Sequence, residues 1–158
     1  MNKIAVFPGS FDPFTIGHES VVRRALPLFD KIIIAIGSNT QKKAFLLPEG
    51  KLKLIQDVFK KEDRIEITNY EGLTIDFCVR VNASYILRGL RTSADFEYER
   101  VISHLNKSMK PEIETVFFLT APEHSHIFST IVRDILIHGG DASKFIPKRI
   151  DIKKYLPS

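Results

Sequence analysis

The sequence predicts a doubly wound α/β fold with a five-stranded parallel sheet, and two observations carry the prediction. Five short apolar runs rich in Ile, Val and Phe, at Ile4 to Phe7, Ile32 to Ile36, Ile65 to Ile67, Tyr85 to Leu87 and Val116 to Leu119, read as strands buried on both faces. Segments of helical spacing lie between them, so that strand and helix alternate along the chain. Right-handed crossovers then put helices over both faces of the sheet, in a single Rossmann-like domain spanning residues 1–158 with expected strand order 3-2-1-4-5.

Each helix has its own signal. Val21, Val22, Ala25 and Leu26 mark the first, which should begin near Gly17, and Leu52, Ile55 and Phe59 mark the second, with Pro48-Glu49 in its first turn. The stretch from Leu73 to Val81 fits either a strand or a helix, and the need for a crossover before Tyr85 favours helix. Val101, Leu105 and Met109 space the fourth, for which Thr92 and Asp95 form a capping box. Ile127, Ile131 and Ile135 mark a fifth, and one short helical piece is expected between Ala142 and Ser158.

With 158 residues, 44% of them hydrophobic, the chain has room for one core and no second domain. It shows neither a long apolar run nor a basic stretch leading a hydrophobic segment at its start, and the expectation is a soluble, cytoplasmic protein with no membrane partner. The 23 Lys and Arg exceed the 19 Asp and Glu by too little, and too diffusely, for a nucleic-acid stripe; a small anion such as a nucleotide or phosphate suits them better. Cys78 is the only cysteine, which excludes an internal disulfide and reads as a small buried hydrophobe.

Ligands of such sheets sit beyond the carboxyl ends of the strands, where strand order reverses. For the expected order that crevice lies between strands one and four, and the two best motifs follow those strands. Pro8-Gly9-Ser10-Phe11-Asp12-Pro13-Phe14-Thr15-Ile16-Gly17-His18 is a turn-rich loop entering a helix, whose unpaired amides and dipole can hold phosphate, with His18 adding a donor. Arg88-Gly89-Leu90-Arg91 places two guanidiniums at the end of strand four, suited to bidentate phosphate contacts, with Gly89 expected to let the backbone turn between them. Neither a P-loop nor Gly-x-Gly-x-x-Gly occurs.

Weaker signals surround these two. Lys42 and Lys43 follow the polar loop after strand two, within reach of an anion or merely solvated. His124-Ser125-His126 lacks companion ligands at zinc spacing. Ser129-Thr130 starts a helix after strand five, where hydroxyls and amides meet a nucleotide or simply cap the helix.

Together these residues resemble the nucleotidyltransferases with a His-x-Gly-His-type motif, and among them the bacterial phosphopantetheine adenylyltransferases. The likeness runs through Pro8 to Pro13 and His18, Lys42-Lys43, Ile86 to Arg91, Ala94-Asp95-Phe96-Glu97-Tyr98-Glu99 and Ser129-Thr130-x-Val132-Arg133. The resemblance implies catalytic roles for His18, Lys42 and Arg91. It assigns ATP to Ser10, Phe11, His18, Gly89, Leu90, Arg91, Glu99 and the segment His124, Ser125, His126, Ile127, Phe128, Ser129 and Thr130. It gives phosphopantetheine to Ser10, Lys42, Thr74, Arg88, Asn106 and Asp134, has Mg2+ held mainly by the substrate phosphates, and implies a homohexamer. Ser10, His124 and Phe128 stand where many members carry Thr, an aromatic residue and Ser.

An acceptor that is itself an ionised phosphate needs no general base, which fits motifs rich in cations and glycine and without a nucleophile-base pair. His18 is then a donor that need not lose its proton to act, and its titration should appear, if anywhere, as a loss of activity at higher pH. The alternatives are another nucleotidyltransferase of the same fold, such as a cytidylyltransferase or a nicotinate-nucleotide adenylyltransferase, a fragment related to aminoacyl-tRNA synthetases, and a non-catalytic nucleotide-binding module. The Arg-Gly-Leu-Arg context argues against the first group, and chain length against a tRNA-binding partner domain.

Overall fold

The computed structural model describes residues 1–38 and 43–158. Five parallel strands, β1 (Ile4–Gly9), β2 (Lys31–Gly37), β3 (Ile65–Tyr70), β4 (Tyr85–Leu90) and β5 (Glu114–Leu119), stand in the order β3-β2-β1-β4-β5, as the sequence predicts. The helices are α1 (Ile16–Ala25), α2 (Pro48–Val58), α3 (Thr74–Arg80), α4 (Ser93–Met109) and α5 (Ser129–Ile137). The stretch of double character, Leu73 to Val81, is helix α3. Among the described residues no helix is long and apolar enough to cross a membrane.

The pleat sends alternate strand residues to two cores. Ala5, Phe7, Ile32, Ile34, Ile36 and Leu87 meet Val21 and Val22 of α1, Leu54 and Ile55 of α2 and Val132 of α5. On the other face Val6, Ile33, Ala35 and Ile86 meet Ile75, Phe77 and Cys78 of α3. Burial pushes the Cys78 thiol up to about 11, as befits an inert packing residue.

Several sequence expectations change in three dimensions. Strands one and four run on to Gly9 and Leu90, so Arg88 and Gly89 lie inside β4 and not in a turn after it. Gly89 serves close packing instead: a Cβ there would sit 3.1 Å from Val21 Cγ2, so its bare backbone lets α1 lie against the sheet. Val101, Leu105 and Met109 of α4, which the spacing assigns to a buried face, are about half exposed and form an outward apolar stripe. Buried Ile127 precedes α5, and Ile131 is exposed, so the face of α5 that packs inward is carried by Val132 with the partly buried Ile135 and Leu136. The tail holds two short 3-10 turns, Ser143–Phe145 and Ile152–Tyr155, in place of the single piece expected. Tyr155 ties it down by donating to Asp57 Oδ2 at 2.7 Å.

One irregularity prepares the site. β1 pairs with β2 along its length, whereas its pairing with β4 covers only Ala5 with Tyr85 and Val6 with Ile86. Beyond that point Pro8 offers no N–H to a ladder. Its carbonyl accepts instead from Arg88 Nη1 at 2.6 Å, a side chain standing where strand pairing has stopped. The sheet therefore opens between β1 and β4, at the reversal of strand order.

Candidate active site

The loop from Ser10 to Thr15 forms one wall of this opening, and three phenylalanines fix it. The Phe11 ring lies 5.3 Å from Phe7 and 5.3 Å from Phe14, and packs so closely on Gly9 that a Cβ there would come within 2.8 Å of it. Phe11 holds φ at 46°, in the left-handed region. Buried Asp12 ties the loop to its surroundings, accepting from the backbone N–H groups of Phe45 and Leu46 at 2.8 Å each and from Arg133 Nη1 at 3.3 Å. Lys51 Nζ, also buried, lies 4.0 Å from it. Arg133 also donates to the Asp12 carbonyl, and Ser129 Oγ donates to that of Pro13 at 3.0 Å, so α5 clamps the loop.

His18 sits on the first turn of α1, enclosed by these rings: Phe11 meets it edge-on at 5.1 Å, and Phe14 lies at 5.3 Å. Thr15 caps the helix, and its backbone N–H donates to His18 Nδ1 at 3.0 Å. Nδ1 is thereby an acceptor without a proton, which leaves the proton on Nε2 as the donor available to the cleft. Burial, together with the guanidiniums of Arg91 and Arg88, pushes the imidazole down to about 3 from the usual 6.5. In the ligand-free site His18 is thus a neutral donor near neutral pH, consistent with a role that needs no loss of its proton. Thr15 N–H and His18 N–H are also occupied by this capping box, so the helix start offers fewer free amides to phosphate than the sequence suggests.

The arginines are braced by two acids of α4, Glu99 and Asp95, which the sequence analysis gives to ATP and to a capping box. Glu99 of α4, only 11% exposed, holds Arg88 in a bidentate pair, with Nε at 3.1 Å and Nη2 at 2.5 Å. Asp95 does not close the second half of the predicted capping box. Thr92 Oγ1 accepts from its N–H at 3.1 Å, but the Asp95 carboxylate turns to Arg91, accepting from the backbone N–H at 3.1 Å and from Nε at 3.4 Å.

Two cavities meet at this junction. One, of about 280 Å3, is lined by Ser10, Phe11, His18, Arg88, Gly89, Arg91, His124, Ile127, Phe128, Ser129 and Thr130. The other, of about 460 Å3, is lined by Ser10, Thr74, Arg88, Glu99 and Asn106, with Tyr70 and Tyr98 added. Pro8, Gly9, Ser10 and Arg88 belong to both.

Most residues chosen from sequence therefore gather in two adjoining groups, with exceptions. Glu99 lines the larger cavity as the partner of Arg88, and not the smaller one that holds most of the residues assigned to ATP. Leu90 is buried, and Ser125 and His126 stand outside the smaller cavity. Asp134 is exposed on α5, 3.4 Å from His138, and lines neither cavity. Lys42 lies outside the described residues. Thr15, Asp12 and Asp95 escaped the sequence analysis as site residues; a threonine three positions before the histidine at a helix start was the signal for the first.

Comparison with known proteins agrees with this geometry. The cytidylyltransferase-like family model matches residues 6–151. A phosphopantetheine adenylyltransferase of Flavobacterium psychrophilum is 49% identical over 149 residues, covering 94% of this chain and 98% of the relative. Another, from Bacteroides thetaiotaomicron, is 47% identical over 148 residues, covering 94% and 97%. The fold is also that of a bifunctional NMN adenylyltransferase/ADP ribose pyrophosphatase from Francisella tularensis, solved with AMP and a Mn ion: TM-score 0.69 at 20% identity, over 95% of this chain and 46% of that one. The chain belongs to the cytidylyltransferase-like family and, within it, to the phosphopantetheine adenylyltransferases.

Proposed function

We propose that the chain reversibly transfers the adenylyl group of ATP to 4'-phosphopantetheine, giving dephospho-coenzyme A and pyrophosphate in coenzyme A biosynthesis. The observation that supports this is the meeting of the two cavities at Pro8, Gly9, Ser10 and Arg88, which gives two anionic substrates room to lie end to end. ATP takes the side of His18, Arg91 and the segment from His124 to Thr130; phosphopantetheine takes the side of Thr74 and Asn106, with Arg88 and Lys42 on its phosphate. An oxygen of that phosphate attacks the α-phosphorus of ATP in line, and the bond to pyrophosphate breaks on the opposite side. His18 Nε2–H donates to the charge that grows on the phosphates, and Arg88 and Arg91 reduce the repulsion between two polyanions.

Magnesium enters this reaction with ATP, as part of the substrate. Among the described residues no three of His, Cys, Asp and Glu converge as ligands. The acids beside the cavities, Glu99 and Asp95, are already engaged by Arg88 and Arg91.

Incubating the protein with ATP and either phosphopantetheine, nicotinate mononucleotide or a cytidylyl acceptor with CTP, and following pyrophosphate, tests the assignment. Release with phosphopantetheine alone is expected; release with another acceptor and none with phosphopantetheine overturns it. The pH dependence tests the mechanism. The acid limb should follow the acceptor's second phosphate ionisation, near ~6 when free and lower among cations. No limb near neutral pH is expected from His18, because burial and the two guanidiniums push its imidazole down to about 3. A limb that ignores an acceptor bearing a more acidic phosphonate, but vanishes in a still-active His18→Asn variant, would make the histidine a base and refute the scheme.

The outward stripe of Val101, Leu105 and Met109 on α4 supports assembly of copies of this chain, as a homohexamer in the reading taken from the resemblance. The enzyme is placed in the cytoplasm. Light scattering that returned the mass of one chain at micromolar concentration would dismiss the assembly.

A further inference from the structure

We infer that Phe128 is a positioning residue that acts through Arg91, its ring setting the plane of the guanidinium that meets the polyphosphate. The inference deepens the proposed function and rests on its placement of the ATP phosphates beside Arg91.

Arg91 stands at the carboxyl side of β4 with 32% of its side chain exposed, and its hydrogen-bonded anchors are long. Nε reaches Asp95 Oδ2 at 3.4 Å, and Nη1 reaches the Ile127 carbonyl at 3.3 Å. At those lengths neither bond fixes the group tightly. The Arg91 Cζ, however, lies 4.0 Å from the centre of the Phe128 ring. The stacks of Arg23 on Phe59, Arg80 on Phe77 and Arg24 on Phe118 are looser, at 5.1, 5.5 and 5.6 Å. Arg91 and Phe128 also form the one such pair, among the described residues, of which both members line the smaller cavity.

The platform is itself held. Phe128 is the extended residue that caps α5, with φ −115° and ψ 132°, and its neighbours on both sides are anchored: Ile127 is buried, and Ser129 Oγ is bonded to the Pro13 carbonyl. A rigid aromatic face at this distance takes up one side of the planar cation and leaves its edge donors for an anion. The energy at stake is that of a partly desolvated cation–aromatic pair, which corresponds to about fivefold to thirtyfold in anion affinity.

The rival role for Phe128 is direct contact with the adenine base, and inorganic pyrophosphate, which has no base, separates the two. Calorimetry with pyrophosphate and with ATP on the whole enzyme, for wild type, Phe128→Leu, Phe128→Tyr, Arg91→Ala and the Phe128→Leu/Arg91→Ala double variant, gives the test. Phe128→Leu is expected to weaken both ligands by the same factor, about fivefold to thirtyfold, and Phe128→Tyr to restore them. In the Arg91→Ala background Phe128→Leu should cost nothing further. Loss of ATP affinity with pyrophosphate unaffected, or a full additional loss in the double variant, overturns the proposal while leaving the proposed function intact. Arg91→Ala that binds pyrophosphate as wild type does overturns both.

Discussion

His18→Ala is expected to lower kcat by about 10²–10³-fold while moving the ATP KM little, because a fixed donor matched to transition-state charge contributes chiefly there. The geometry sharpens the reason. Nδ1 is taken by the Thr15 N–H at 3.0 Å, and three phenylalanine rings and two nearby arginines keep the imidazole neutral, with its pKa pushed down to about 3. Such a group offers one N–H in one place. The same shift has a stability sign. A histidine whose folded value lies below its unfolded 6.5 supports the fold above that pH and loses its contribution as pH falls from 6.5 toward 3. Steady-state kinetics with ATP varied, beside direct measurement of ATP binding, checks the main claim. Unchanged kcat in His18→Ala would remove the histidine from the chemistry.

The second large effect belongs to Arg88→Ala. Its side chain donates to the Pro8 carbonyl at 2.6 Å and to both oxygens of Glu99, so it is a strut between β1 and β4, and in the proposed function it is also the cation that meets the acceptor phosphate. Removing it leaves the Glu99 carboxylate, 11% exposed, without its counter-charge. A stability loss of about 2–3 kcal/mol is expected, below the range for a fully buried pair because Arg88 is partly open to solvent. The KM for phosphopantetheine should rise on the order of 10²-fold, with a smaller change for ATP. Arg88→Lys should recover part of the stability and little of the acceptor affinity, since an ammonium cannot match the bidentate geometry. Urea unfolding and kinetics with each substrate varied read the two effects separately. If Arg88→Ala impaired only ATP use, the division of the two substrates between the two arginines would be wrong.

What the sequence by itself determined is the part of this protein written in local patterns. Runs such as Ile32 to Ile36 are buried wherever they go, and apolar residues at helical spacing need a surface to cover, so strands and crossovers followed from periodicity, and the strand order was that of the doubly wound class they imply. The two motifs flanking the opening were legible for the same reason, since strand ends at a reversal of strand order are where such sheets bind ligands. Periodicity marked the helix at Val101, Leu105 and Met109 but left its surroundings open, because spacing shows that a helix has an apolar face but not whether its own sheet or another surface covers it. The tertiary structure alone decided the state of the site. The contact of Arg88 with Pro8 spans 80 positions and that of Arg133 with Asp12 spans 121, and no local pattern records such partners. Asp134 stands apart from Asn106 although the resemblance groups them, because α5 leaves its carboxylate exposed, away from the cavity that α4 helps to line. The charge of His18 follows from rings and guanidiniums brought in by β1, the loop after it and β4. Desolvation and Coulomb interactions act through space, so the residue type could be read from the chain and its protonation only from the fold.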